Sequence, residues 1–375
     1  KIGGGIILLG FISILFNGLK NGNIGEIAYI EGFIKFMRPI LLIFIITNLE
    51  NLNVKFKRAF IILLAILSLN SLIGYWQIIF ENARNDNVDA LFRSSHFLTT
   101  FSFICVFGIY TYLSNKNKKI SMYLIIVFFL IPAIFAEHMR AIVVLLLTII
   151  IYQFFNSYLK NDYTNKIKKI LKVSVYTTFT IIIFSYLTLL VQPNIYDKIS
   201  KALKFASKEI AFISGYMYLP KYFASYPHAI LLGKGPGQYG SYVSFDKFGG
   251  HISNSPVYKD IRKNAGLTSI SVLSPSLDNP STNLFAIIAE YGLLSFILFI
   301  LYFQTLFKVM AKHTDEKNVW KKSFMELYLI YLILFSSLDA GYGWENMLTT
   351  IPFFILIGLF LRENKINYYK KILAN

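Results

Sequence analysis

The feature that most constrains this chain is a series of long apolar runs almost free of charge. Residues 59–80, 120–136 and 141–159 carry no charged side chain at all. Crossing the hydrocarbon core of a bilayer, about 30 Å thick, takes roughly 17–25 mostly apolar residues in a helix. One such run fits inside a soluble domain; a succession of them does not. Ten segments meet the requirement: 2–19, 32–49, 58–80, 93–113, 120–137, 139–158, 170–192, 283–307, 323–338 and 346–361. The fifth and sixth form a helical hairpin turning near Ala136–Arg140, because together they are too long for one span. Composition agrees: 55% of the 375 residues are hydrophobic and 15% charged, against about 25% charged in an average soluble domain. The expected fold is an all-α polytopic membrane protein, with helices one to seven in 1–192, a large outer loop in 193–282, and helices eight to ten plus a tail in 283–375. The chain opens at Lys1 directly into an apolar run, so residues before it are expected.

The net charge is +17, from 37 basic and 20 acidic residues. In a soluble protein this balance would suggest nucleic acid, but here the basic residues sit in short loops between apolar runs. Lys55, Lys57 and Arg58 form one set. Lys116, Lys118 and Lys119 form the next, followed by Lys160, Lys166, Lys168 and Lys169. Lys308, Lys312, Lys317, Lys321 and Lys322 follow, and the tail adds Arg362, Lys365, Lys370 and Lys371. With ten segments all of these fall on one side, which the positive-inside rule makes the cytoplasm. No nucleic-acid partner is expected. The single cysteine, Cys105, excludes an internal disulfide and a cysteine-built metal site. Five histidines lack ligand spacing, so neither a metal nor another cofactor is expected.

The excursion 193–282 is too long to be a mere connector. It opens with an amphipathic stretch, Ile199, Leu203, Ala206, Ile210 and Ile213 against Lys198, Lys201, Lys204 and Lys208, which suits an interfacial helix or one packed on the bundle. Gly233-Lys-Gly-Pro-Gly-Gln-Tyr-Gly240 then marks irregular backbone. It is not a phosphate-binding P-loop, since no Gly-Lys-Ser/Thr follows and no strand precedes it.

Arginine is scarce, seven residues against thirty lysines. Five of them, Arg38, Arg84, Arg93, Arg140 and Arg262, are assigned to the outer side or to outer helix ends. Lysine suffices to set orientation, whereas the planar guanidinium pairs bidentately with phosphate. An outward arginine set points to an anionic ligand such as a lipid phosphate; capping of helix ends is the structural alternative. Arg140 lies in Glu137-His-Met-Arg140 at a tight turn, where Glu137 is either its partner or a neighbour in a site. Glu290, seven residues into the eighth segment, is an intramembrane acid. Such a residue is a functional candidate by default, or a hydrogen-bond acceptor for a neighbouring helix or loop backbone. Asn283 lies two helical turns before it on the same face. Tyr216, Tyr218, Tyr222, Tyr226, Tyr239, Tyr242 and Tyr258 in the long loop suit sugar stacking or packing.

The arrangement resembles the O-antigen ligase and O-antigen polymerase superfamily of membrane glycosyltransferases. Arg93-Ser-Ser-His-Phe-Leu-Thr-Thr-Phe resembles its segment entering a middle helix, and His138-Met-Arg140-Ala-Ile its Ser-Arg-Gly/Ala turn. Gly233-Lys-Gly-Pro-Gly-Gln-Tyr is similar to the Gly-x-Gly stretch of its large periplasmic loop. Thr282-Asn283-Leu-Phe-Ala-Ile-Ile-Ala-Glu290-Tyr-Gly292-Leu-Leu is similar to the helix after that loop. Ligases carry histidine where Thr282 stands, which favours the polymerase. The resemblance implies a GT-C-like fold in the bacterial inner membrane with its active site facing the periplasm. Its donor and acceptor would be polyprenyl-diphosphate-linked glycans, with a chain-length regulator protein as a further partner. Diphosphate binding would fall to Arg38, Arg93, Arg140 and Arg262. Arg140 and Arg262 would stabilise the leaving group, and Glu137, Asp278 or Glu290 would accept the proton. The alternatives are a ligase acting on lipid A-core and a lipid-linked glycan flippase.

Overall fold

The computed structural model describes residues 2–21, 27–49, 52, 54–83, 87–92, 95–114, 119–136, 144–145, 147–152, 219–239, 283–312, 319–338 and 347–374. Among them every regular element is a helix. In chain order these are α1 (Ile2–Asn21), α2 (Ile27–Asn48), α3 (Phe56–Phe80), α4 (Ser95–Ser114), α5 (Lys119–Phe135), α6 (Ala229–Leu232), α7 (Asn283–Lys312), α8 (Val319–Leu338) and α9 (Met347–Ala374). Further helical turns cover 147–152 and 219–225. Eight of the ten apolar segments are thus helices and a ninth, 139–158, is described only in part. The segment 170–192 and the amphipathic stretch at 199–213 lie outside the described residues.

Among the described residues, three helices are individually long and apolar enough to cross a membrane: Ile2–Leu19, Phe56–Phe80 and Leu284–Ala311. Shorter apolar helices cover Phe97–Leu113 and Leu124–Phe135. Alongside an apolar core, the same helices bury small polar residues and expose large apolar ones. Helix α3 buries Asn70, Ser71 and Gly74 while Ile61, Ile62, Ile66, Leu69, Leu72 and Trp76 are exposed. In α1 Ser13 and Asn17 are buried, and Leu8, Phe11, Leu15 and Leu19 face outward. Such continuous apolar surface is far beyond what a soluble monomer exposes and requires lipid as its solvent. The chain is an all-α membrane protein.

The helices form two compact units. In the second, Leu49–Ala202 with His313–Phe335 and Leu356–Asn375, helices α3, α4 and α5 pack together. One end is closed by aromatic rings, Phe56, Phe60, Tyr112, Trp320 and Phe360. At that end Glu363 accepts the Phe56 N–H at 2.7 Å, a side-chain cap on the first turn of α3 supplied from α9. The Lys321 ammonium donates to the other oxygen of Glu363 at 2.7 Å, and Arg362 donates to the Leu52 carbonyl. The loop before α3, the start of α8 and the later part of α9 therefore meet at one end, as the charge alternation requires. At the other end of α3, Gln77 donates to Asp89 and accepts the Ala90 N–H, and Asn70 accepts the Leu91 N–H.

The first unit comprises Lys1–Asn48, Leu203–Lys312 and Ser336–Ile355. In it α7 is the centre, packed against α1 and the short α6. Helix α2 begins at Ile27, five residues before the predicted start, so Arg38 stands mid-helix rather than near an outer end. The apolar run alone marks the start of this segment at 32, whereas Glu31 and Lys35 both sit inside α2 as an i,i+4 ion pair at 2.8 Å.

Candidate functional site

Two glycine-bearing segments that are far apart in the sequence meet in the first unit. Helix α6 stops at Gly233, whose φ of 65° and ψ of −168° lie in a region open essentially to glycine alone. Inside α7, Gly292 adopts φ 83° and ψ 167°, the same kind of conformation, and kinks the helix. The two breaks face each other. A Cβ at Gly233 would lie 2.1 Å from the Glu290 carbonyl carbon, and one at Gly292 would lie 2.3 Å from the Leu231 carbonyl oxygen. Backbone packs directly on backbone here.

The kink explains where the backbone hydrogen bonds go. In an uninterrupted helix the Ala289 and Glu290 carbonyls would accept from Leu293 and Leu294. At Gly292 the chain leaves helical geometry, and these carbonyls accept the Lys234 N–H at 2.9 Å and the Gly235 N–H at 3.0 Å. The Tyr222 hydroxyl also donates to the Ala289 carbonyl at 2.5 Å. The Glu290 side chain completes the set. It is 1% exposed, and its two oxygens accept the Gly237 N–H at 2.6 Å and the Tyr239 N–H at 2.9 Å. Irregular backbone within a membrane protein is tolerated only where such groups are satisfied, and a carboxylate accepting amides is the stronger, charge-assisted kind of bond.

Neighbouring helices seat the loop. From α1, Ser13 donates to the Leu232 carbonyl at 2.5 Å and Asn17 to the Gly233 carbonyl at 3.3 Å. From α2, Gly32 lies so close to the loop that a Cβ there would be 2.5 Å from the Gly237 nitrogen. The Tyr291 hydroxyl donates to the Gly32 carbonyl at 2.8 Å. The site is thus built from the second half of α1, the second turn of α2 and the third turn of α7. Tyr222 and Tyr239 are fully buried, their rings 4.8 Å apart; they are packing residues, not an open stacking surface. Tyr226 and Lys234 are only half-buried, and the Lys234 ammonium lies 3.4 Å from the Tyr226 ring centroid and 4.5 Å from that of Tyr239.

Of the residues singled out in the sequence, Glu290 and Gly292 belong to this cluster, and Asn283 is the first residue of α7. Arg38 is the twelfth residue of α2 in the same unit. Glu137, Arg140, Arg93, Arg262, Asp278 and Thr282 lie outside the described residues, as do Tyr216, Tyr218, Tyr242 and Tyr258. The sequence reading missed Ser13, Asn17 and Lys234, and also Glu326, a buried acid of α8 in the second unit with Lys322 at 3.6 Å. Glu326 was detectable as a carboxylate inside an apolar segment; Ser13 and Asn17 show only as small polar residues in a Gly-rich run. Among the described residues no group of three or more His, Cys, Asp or Glu could hold a metal ion. Compared with protein-family models and with curated protein sequences, the chain matches none.

Proposed function

We propose that this chain is an outward-facing inverting glycosyltransferase of the bacterial inner membrane that polymerises polyprenyl-diphosphate-linked oligosaccharide repeat units, on a ten-span GT-C-like scaffold. The observation that carries this reading is the joining of two segments. Gly233–Tyr239 and Glu290–Gly292, two of the stretches through which the chain resembles the O-antigen ligase and polymerase superfamily, form one hydrogen-bonded structure.

In the proposed reaction a hydroxyl of one lipid-linked unit attacks the anomeric carbon of another. The bond from that carbon to the diphosphate oxygen breaks, and polyprenyl diphosphate leaves with the electron pair. Guanidinium groups, Arg140 and Arg262 with Arg93 behind them, stabilise the charge that develops on the leaving group. A carboxylate takes the hydroxyl proton. Both oxygens of Glu290 already hold loop amides, so we assign it to positioning the loop and leave proton acceptance to Glu137 or Asp278.

The test is reconstitution. Purified protein supplied only with short polyprenyl-diphosphate-linked units is expected to produce a ladder of longer lipid-linked glycans and free polyprenyl diphosphate. No nucleotide sugar or ATP is required, because the diphosphate linkage holds the bond energy, and the ladder survives EDTA if guanidinium groups serve as counter-ions. Transfer only when lipid A-core is added would identify a ligase instead. Movement of unlengthened substrate across a vesicle would identify a flippase.

A further inference from the structure

We propose that residues 87–91 form a gate in the second unit: a re-entrant strap, seated among α3, α4 and the end of α5, that lifts to admit water to the buried polar residues it covers. The connection from α3 to α4 does not simply cross the helix ends. Leu91 donates its N–H to the Asn70 side chain at 3.1 Å. Asn70 lies ten residues before the last residue of α3, about 15 Å along the helix axis. The strap therefore reaches into the span. Val88 is fully buried and Ala90 nearly so, packed with Ile78 of α3, Leu98 of α4 and Ala136 just after α5. Irregular backbone at such depth is tolerated only where protein or an aqueous cavity surrounds it.

The seat of the strap is shallow. Gln77 holds it twice, donating to Asp89 at 2.6 Å and accepting the Ala90 N–H at 2.8 Å. Two carboxamides, those of Gln77 and Asn70, thus supply its bonds to α3; among the described residues no backbone bond to a helix adds to them. Two features oppose the seat. Ala90 holds a φ of 51°, in the left-handed region that is unfavourable for a residue with a Cβ; such outliers gather at clamps and switch regions. Asn70 is fully buried, and among the described residues its Nδ2 has no hydrogen-bond partner, which leaves a desolvated donor. Lifting the strap relieves both. At the depth it reaches, both helices carry buried polar side chains, Asn70 and Ser71 on α3 and Thr99, Thr100 and Ser102 on α4. A Cβ on Gly74 would lie 3.2 Å from Leu98, and one on Gly108 would lie 2.8 Å from Phe60. The two helices therefore run antiparallel with these polar bands at one level, where a lifted strap would open them to water.

The test uses the full chain in phosphatidylcholine nanodiscs, in a Cys105→Ala background, with an impermeant maleimide as the probe of water access. Val88→Cys is expected to react more slowly than Asn87→Cys, whose native residue is exposed, and far faster than Ala133→Cys, fully buried in α5. Adding Gln77→Leu removes two hydrogen bonds and is expected to speed labelling of Val88→Cys roughly tenfold, with Ala133→Cys unchanged. Hydrogen exchange in the wild-type chain guards against a variant that misfolds. The Ala90 and Leu91 amides should exchange ahead of those of 70–77 and 98–105, at a rate that low urea leaves unchanged, as local opening requires. Labelling of Val88→Cys no faster than Ala133→Cys, or exchange at Ala90 and Leu91 only with global unfolding, makes the strap a static element and overturns the gate. Labelling as fast as Asn87→Cys means that the strap is never seated, and overturns it equally. So does labelling that Gln77→Leu leaves unchanged.

Discussion

At the scale of single residues, the chain's most demanding positions are the glycines at the two breaks. Gly292 combines a backbone conformation that costs other residues about 1–3 kcal/mol with a Cβ direction blocked by the Leu231 carbonyl 2.3 Å away. That neighbour is backbone and cannot rotate aside. Gly292→Ala is therefore expected to destabilise by at least about 3 kcal/mol, read as a lowered thermal midpoint in detergent or loss of folded protein. Gly4 is the internal contrast: it lies in α1 with nothing within 4 Å of an added Cβ. Gly4→Ala should be neutral or stabilising by up to about 1 kcal/mol. Sequence pattern singles out Gly233, Glu290 and Gly292 as unusual, since a carboxylate and glycines interrupt apolar or helical runs. It does not say what they face. Whether Glu290 takes a proton or two amides depends on a loop 51–53 residues away, and no local signal encodes that distance.

At the scale of elements, apolar periodicity locates helices well and their ends poorly. Helix α7 continues through Lys308 to Lys312, and α9 passes Arg362 and runs on to Ala374. The apolar run ends where the hydrocarbon ends, but a helix has no reason to stop there, because Lys and Arg are good helix formers that reach toward polar surroundings. The start of α3 shows the complementary case. Lys55 at its N-cap makes no side-chain cap, and the usual Ser, Thr, Asp or Asn is missing. The Phe56 amide is capped instead by Glu363 of α9. Glu363→Ala is expected to cost about 1–2 kcal/mol through loss of that cap, measured by thermal or denaturant unfolding. In a double-mutant cycle with Lys321→Met, the coupling should stay below about 1 kcal/mol, since Glu363 is partly exposed at 27%.

For the whole molecule, the prediction concerns orientation. In a Cys105→Ala background, an impermeant thiol reagent should label cysteine at Asn87 and at Ser225 from outside intact cells, and cysteine at Lys57 only after permeabilisation; all three native positions are exposed. Labelling of Lys57→Cys in intact cells would overturn the assigned sides. Charge and hydropathy by themselves determined the solvent, the helical class and the positions of eight described helices. Lipid forces backbone groups to bond within a segment, and a run of apolar residues announces that requirement locally. What only the tertiary structure decided is the arrangement at the helix ends: that the kink at Gly292 turns two carbonyls toward the 233–239 loop, that Glu290 holds its amides, that Tyr222 and Tyr239 are buried, and that Arg38 stands mid-helix. These depend on non-local contacts between residues 51 to 67 positions apart, and such contacts are set by how packed helices satisfy their buried polar groups, a condition that no single stretch of sequence contains.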